Sequence, residues 1–140
     1  MNARILIPVD DTETTEKAIS GFLRNQTHFA DSVILLHVLE DKLAYRMIPP
    51  EQIKMIQERS RQAAQQMLEH FSERFKAAGF HPELRIKSGD PIAVIRRIIT
   101  EEEIFLLVMA RHKAGEVSDV LFGSVTNALM HKVNCPMLLF

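Results

Sequence analysis

The chain has 140 residues, 46% of them hydrophobic and 25% charged, with a formal net charge of -1. That length suits one domain, 1–140, whose core stands without metal or disulfide staples. The composition excludes a disordered or fibrous chain, and the charge balance excludes a dedicated nucleic-acid binder.

The first element is the apolar run Ile5-Leu6-Ile7-Pro8-Val9, which reads as a short buried strand. Asp10-Asp11-Thr12-Glu13-Thr14 supplies turn and N-cap chemistry, and Ala18, Ile19, Phe22 and Leu23 recur at helical spacing behind it. Ser32 to Val38 is the second buried strand. A polar connection then leads to the longest helix signal, opened by Pro50 and Glu51. Its expected inner face is Ile53, Ile56, Ala63, Met67, Phe71, Phe75 and Ala78, with Gly79 as a left-handed cap.

The third strand is Glu83 to Lys87, followed by Ser88-Gly89-Asp90-Pro91, a turn that caps a helix carrying Ile92, Val94, Ile95, Ile98 and Ile99. Ile104 to Met109 is apolar throughout, as a central parallel strand should be. A charged loop from Arg111 to Asp119 precedes Gly123-Ser124 and a last helix expected to end near Val133. Pro136 to Phe140 is the fifth strand. Strands interleaved with helices predict an α/β fold, a doubly wound five-stranded parallel sheet with helices on both faces.

The single cysteine, Cys135, excludes an internal disulfide framework and a multi-cysteine zinc site, and it fits a reducing compartment. No segment approaches the ~20 apolar residues of a membrane span, and the first apolar run is too short for a signal peptide core. The expectation is a cytoplasmic chain with no membrane and no nucleic-acid partner. No metal-ligand spacing, Gly-x-Ser-x-Gly elbow or phosphate loop ending in Gly-Lys-Ser/Thr is present. No catalytic residue is therefore assigned. His37, inside a buried strand, reads as a satisfied core histidine, and Cys135 as inert.

Ligands of an open parallel sheet bind beyond the strand C-termini, where the strand order reverses. The distinctive loops here follow the first and fourth strands. The fragments Ile7-Pro8-Val9-Asp10, Leu36-His37-Val38, Gly89-Asp90-Pro91, Gly123-Ser124-Val125 and Cys135-Pro136-Met137-Leu138-Leu139 resemble, in order and spacing, the universal stress proteins. The resemblance covers nearly the whole chain and implies strand order 3-2-1-4-5. It also implies a non-catalytic stress-response protein, at most a slow ATPase.

Many members of that family bind ATP through a G-x2-G-x9-G-[ST] loop. The matching positions are Ala110, Lys113, Gly123 and Ser124, so only the second half of the motif is kept. The resemblance implies a nucleoside end at Asp10, Val38 and Ala110, with Pro8, Val9 and Met109 also among the nucleotide-binding residues. Around the phosphates it implies Arg111, Lys113, Gly123, Ser124 and Val125, with basic side chains in place of a glycine cradle. Asp10 would serve the ribose or a metal, or else only complement the helix behind it. The ligand would be ATP or another adenine nucleotide, with Mg²⁺.

The strand 136–140 is apolar and uncharged, and family members dimerise through it, which implies a homodimer and an unknown regulatory protein partner. The alternative is a partner-binding dimer whose nucleotide site has decayed. A response-regulator receiver is a poorer match. Its phospho-accepting Asp would end strand three, where Lys87-Ser88 stands, and its Lys would end strand five, where Phe140 stands.

Overall fold

The computed structural model describes residues 4–25, 32–40, 46–110 and 124–140, and of Ser124 the backbone alone. The elements are β1 (Arg4–Pro8), α1 (Glu13–Arg24), β2 (Ser32–Leu39), α2 (Pro50–Ala77), β3 (Glu83–Ser88), α3 (Pro91–Glu101), β4 (Ile104–Met109), α4 (Ser124–Met130) and β5 (Met137–Leu139). All neighbouring strands pair in parallel, in the order β3-β2-β1-β4-β5. β1 and β4 are therefore side by side, and the order reverses between them.

The period-two alternation of the strands divides the interior into two layers. Ile5, Ile7, Val33, Leu35 and Val108 point to one side, where Ile19 and Phe22 of α1 meet Leu68, Phe71 and Phe75 of α2. Leu6, Ile34, Leu36 and Leu107 point to the other, against Val94, Ile95, Ile98 and Ile99 of α3 and Leu129 of α4. A strand buried on both faces has to be apolar at nearly every position, which is why β1, β2 and β4 read as unbroken hydrophobic runs. Phe105 is the exception; it sits half-exposed on β4.

Local chemistry sets the helix ends. Pro50 occupies the first turn of α2, where its missing N–H costs nothing. Just past the end of α2, Gly79 takes φ +91°, and Phe80 N bonds back to Phe75 O at 2.9 Å. Asp90 caps α3 by accepting from Ala93 N at 2.9 Å.

Two expectations need correction. The core face of α2 runs through Ala64, Leu68, Phe71, Ser72 and Phe75, whereas Ala63 is exposed. No residue from 50 to 63 is fully buried, so the first half of the helix extends past the sheet. The last helix stops at Met130 rather than near Val133; beyond it the chain closes in a turn in which Lys132 N and Val133 N share Leu129 O, at 3.0 and 3.1 Å.

At the N-terminal rim of the sheet, Glu102 joins Arg4 at 2.9 Å and Arg85, while Glu83 contacts the same two arginines. The Arg85 hydrogen bond holds the Glu102 carboxyl below its usual range against an opposing burial effect. Charges on β3 also suit an edge strand, since they discourage pairing with another chain. At the far edge, Phe140 lies over Gly21 of α1, and a Cβ added at Gly21 would come 2.3 Å from its ring. Only glycine leaves that slot open.

Candidate functional site

The C-terminal ends of β1, β2 and β4 open into a cleft of ≈ 1050 Å³. That is the upper end of the usual range for small-ligand sites and ample for a nucleotide. Its floor is stitched together by backbone. Val9 N donates to Leu36 O at 2.7 Å, and Gly89 N donates to Leu39 O at 3.0 Å. The His37 ring lies 2.7 Å from Val9 O; a carbonyl only accepts, so Nδ1 carries the proton. His37 thus has the partner expected of a core histidine, yet it is half-buried and lines the cleft.

Asp10 stands where β1 gives way to α1. Its Oδ1 accepts from Thr12 N at 2.9 Å, from the Thr15 hydroxyl at 2.7 Å and from the Thr12 hydroxyl. The buried Thr15 hydroxyl in turn accepts from Asp10 N at 2.9 Å. This ring of bonds fixes the carboxylate and leaves Oδ2 without a protein partner among the described residues. Burial acts to raise the Asp10 carboxyl, but the hydrogen bonds from Thr12 and Thr15, helped by nearby His37, hold it below the ordinary aspartate value. Asp10 is therefore ionised at neutral pH. Thr12, the N-cap residue, makes no side-chain cap bond of its own; it is spent on Asp10.

The expected residues Pro8, Val9, Asp10, Val38, Met109, Ala110 and Val125 all line this one cleft. Ser124 opens α4, whereas Arg111, Lys113 and Gly123 lie outside the described residues. Sequence reading missed a whole wall. Lys54, Gln57, Glu58, Ser60 and Arg61 of α2 face the cleft, as do Glu40 and Thr126. The signal was there in part. Gln57, Ser60, Arg61 and Ala64 recur at helical spacing, but a polar stripe reads as solvated until a sheet end is placed opposite it.

An apolar floor with one fixed carboxylate suits a flat ligand that carries hydroxyl or amino donors. No group of three metal-ligating side chains occurs among the described residues. Burial pushes the Cys135 thiol up, so it is a poor nucleophile at neutral pH. No described helix is long and apolar enough to cross a membrane.

Comparison with known proteins agrees with this fold. The universal stress protein MJ0577 of Methanocaldococcus jannaschii is 26% identical over 99% of this chain and 94% of its own length. A solved MJ0577 structure superposes with TM-score 0.82 at 28% identity, covering 99% of this chain and 95% of that one. The fold is shared with a universal stress protein family protein of Arabidopsis thaliana, At3g01520, solved with AMP bound. That likeness has TM-score 0.72 at 18% identity over 99% of this chain and 90% of the other. It is also shared with a universal stress protein solved in complex with cAMP, with TM-score 0.71 at 16% identity over 99% and 96%. The profile of the Universal stress protein family matches residues 1–140, and the chain belongs to that family.

Proposed function

We propose that this protein is a cytoplasmic, homodimeric, non-catalytic stress-response protein that binds an adenine nucleotide in the cleft at the ends of β1, β2 and β4. The observation that carries this reading is the fixed, ionised Asp10, whose Oδ2 has no protein partner among the described residues and lines a cleft with an apolar floor. A carboxylate so held accepts from a ribose hydroxyl, as acidic residues do in other doubly wound folds. Val38 meets the adenine edge through its backbone, with Met109 and Ala110 beneath the base. Ser124 and Val125, at the start of α4, are the described residues of the proposed phosphate end, with Mg²⁺ as counter-ion; Arg111, Lys113 and Gly123, which the family motif assigns to it, lie outside the described residues. Relatives of the same fold solved with AMP and with cAMP support the ligand class.

Ligand at about a hundred times its dissociation constant stabilises a fold by about 2.7 kcal/mol. For a chain of this size the expected rise in Tm is roughly 10 °C. Thermal melts with adenosine, AMP, ADP and ATP, each with and without Mg²⁺, check it. No shift at millimolar concentration with any of them would leave the second reading, a partner-binding dimer without nucleotide. What favours that reading is Ala110, whose buried methyl stands where the family motif has glycine.

The dimer reading rests on β5, which pairs on one side with β4 alone and has no partner strand on the other among the described residues. Pro136 O and Phe140 N face β4, bonding to Leu107 N at 2.9 Å and Met109 O at 3.1 Å. By strand alternation Leu139 N faces outward. Leu139→Pro removes that outward donor and spares the pairing with β4. Sedimentation should show a dimer for the parent chain and a monomer for the variant; a variant that stays dimeric rules out edge pairing.

A further inference from the structure

We infer that the cleft selects its adenine ligand against phosphate charge, taking the nucleoside or monophosphate ahead of the metal-free triphosphate. This rests on the adenine reading above and asks which adenine compound the site prefers.

Among the described residues, and apart from the His37 ring, the ionisable side chains lining the cleft are Asp10, Asp11, Glu40 and Glu58 against Lys54 and Arg61. Four carboxylates face two cations, a net of two negative charges. Lys54 and Glu58 are four residues apart on α2, and Glu58 and Arg61 three, yet none of the three forms an ion pair among the described residues. Their charges are therefore not neutralised by ion pairs within the described lining. Outside the described residues, the segment 111–123 carries Arg111 and Lys113 against Glu116 and Asp119, and 41–45 carries Lys42 against Asp41, so neither has a net charge of its own in sequence.

A second feature points to uncharged polar recognition. Thr126 of α4 lines the cleft with only 4% of its surface exposed. Among the described residues its hydroxyl has one partner, the Met109 sulfur at 3.9 Å. A thioether is a weak acceptor at such a distance. A buried hydroxyl in that state suits a neutral ligand atom, such as a ring nitrogen or a sugar hydroxyl. Thr126 and Asp10 Oδ2 thus both serve a nucleoside, while the acidic lining repels each added phosphate.

Calorimetric titration of the full chain with adenosine, AMP, ADP and ATP in EDTA tests this at low and at high salt. At low salt, ATP should bind roughly tenfold more weakly than adenosine, and the gap should close at 0.5 M salt as screening shortens. The double variant Glu40→Gln, Glu58→Gln brings the described lining to neutrality. It should collapse the ratio of the two dissociation constants toward unity at low salt. Both side chains are exposed, so circular dichroism should show an intact fold.

Affinity that rises with each phosphate would overturn the inference while leaving the adenine reading in place. So would a gap that persists in both high salt and the double variant, since exclusion would then be steric. If no compound of the series binds, adenosine included, the adenine reading itself falls and the inference with it.

Discussion

Phe75→Ala should cost about 3–5 kcal/mol, the range for emptying a fully buried aromatic site. Phe75 has no exposed surface, and its ring lies 5.8 Å from Phe22 and 6.0 Å from Phe80. These three rings join α1, the second half of α2 and the turn into β3, so the cavity has no flexible wall to collapse into. Against a total stability of about 5–15 kcal/mol, that loss is a large fraction. Urea unfolding should show a lower midpoint, and Tm should fall by roughly 10–20 °C. Phe105→Ala is the control, because 50% of Phe105 is exposed; it should cost less than about 1 kcal/mol. Equal losses at the two positions would mean that the layer between α1, α2 and the sheet is wrongly described.

The second half of α2 is thus an anchor, and the first half carries cleft residues on a helix with little buried surface. Elements with few buried apolar contacts open at lower cost than the core does. The wall of the cleft formed by residues 54–61 should therefore exchange its amide hydrogens before residues 64–75 do.

Asp10→Asn should weaken adenosine binding about 10- to 100-fold, the usual worth of a hydrogen bond to a charged acceptor. The substitution keeps the size of the side chain and an oxygen for Thr12 and Thr15, so the loss reports the charge. Asp10→Ala removes the acceptor as well, and should also destabilise the fold by about 1–3 kcal/mol, because the Thr12 N–H and the Thr15 hydroxyl lose their partner.

The pH dependence follows from the direction of the shift. The folded carboxyl titrates below its unfolded value. Its contribution is complete above the ordinary carboxylate range and is lost only as pH falls through the lower folded value. Binding should accordingly be level, as far as Asp10 is concerned, from about pH 5 to 8. A loss of affinity centred near neutrality in the parent chain, absent from the Asn variant, would contradict the assignment. So would unchanged affinity in Asp10→Asn.

Much of the fold was legible because its signals are local. Pro50 and Gly79 bound α2, Asp90 starts α3, and both do so with atoms a few residues away. The strands β1, β2 and β4 announce themselves because a strand covered on both faces excludes polar side chains. Asp10 could be singled out because it closes such a run.

Other features depend on what comes to lie opposite a residue, and that is not encoded locally. The helical period marks a stripe on α2, but at Ala63 and Ala64 it left the inner face one residue in error. A 100° step between neighbours makes such an error invisible until the sheet is in place. The same run of helix supplied Lys54, Glu58 and Arg61 to the cleft, although in sequence they read as solvated charges. Phe105 looked like core because its neighbours are, yet β5 pairs with β4 only from Leu107 onward. His37 bonds to a carbonyl 28 residues earlier in the chain, across two adjacent strands.

The amino-acid sequence by itself therefore determined the alternation of strands and helices, the start and end of α2, the start of α3 and the acid that follows β1, all set by contacts within a few residues. Only the tertiary structure decided which polar side chains share the space above the sheet, and so the sign of the charge a ligand meets there. Among the described residues that sign is a sum over the turn after β1, the residue after β2 and the first half of α2, brought together by non-local strand pairing.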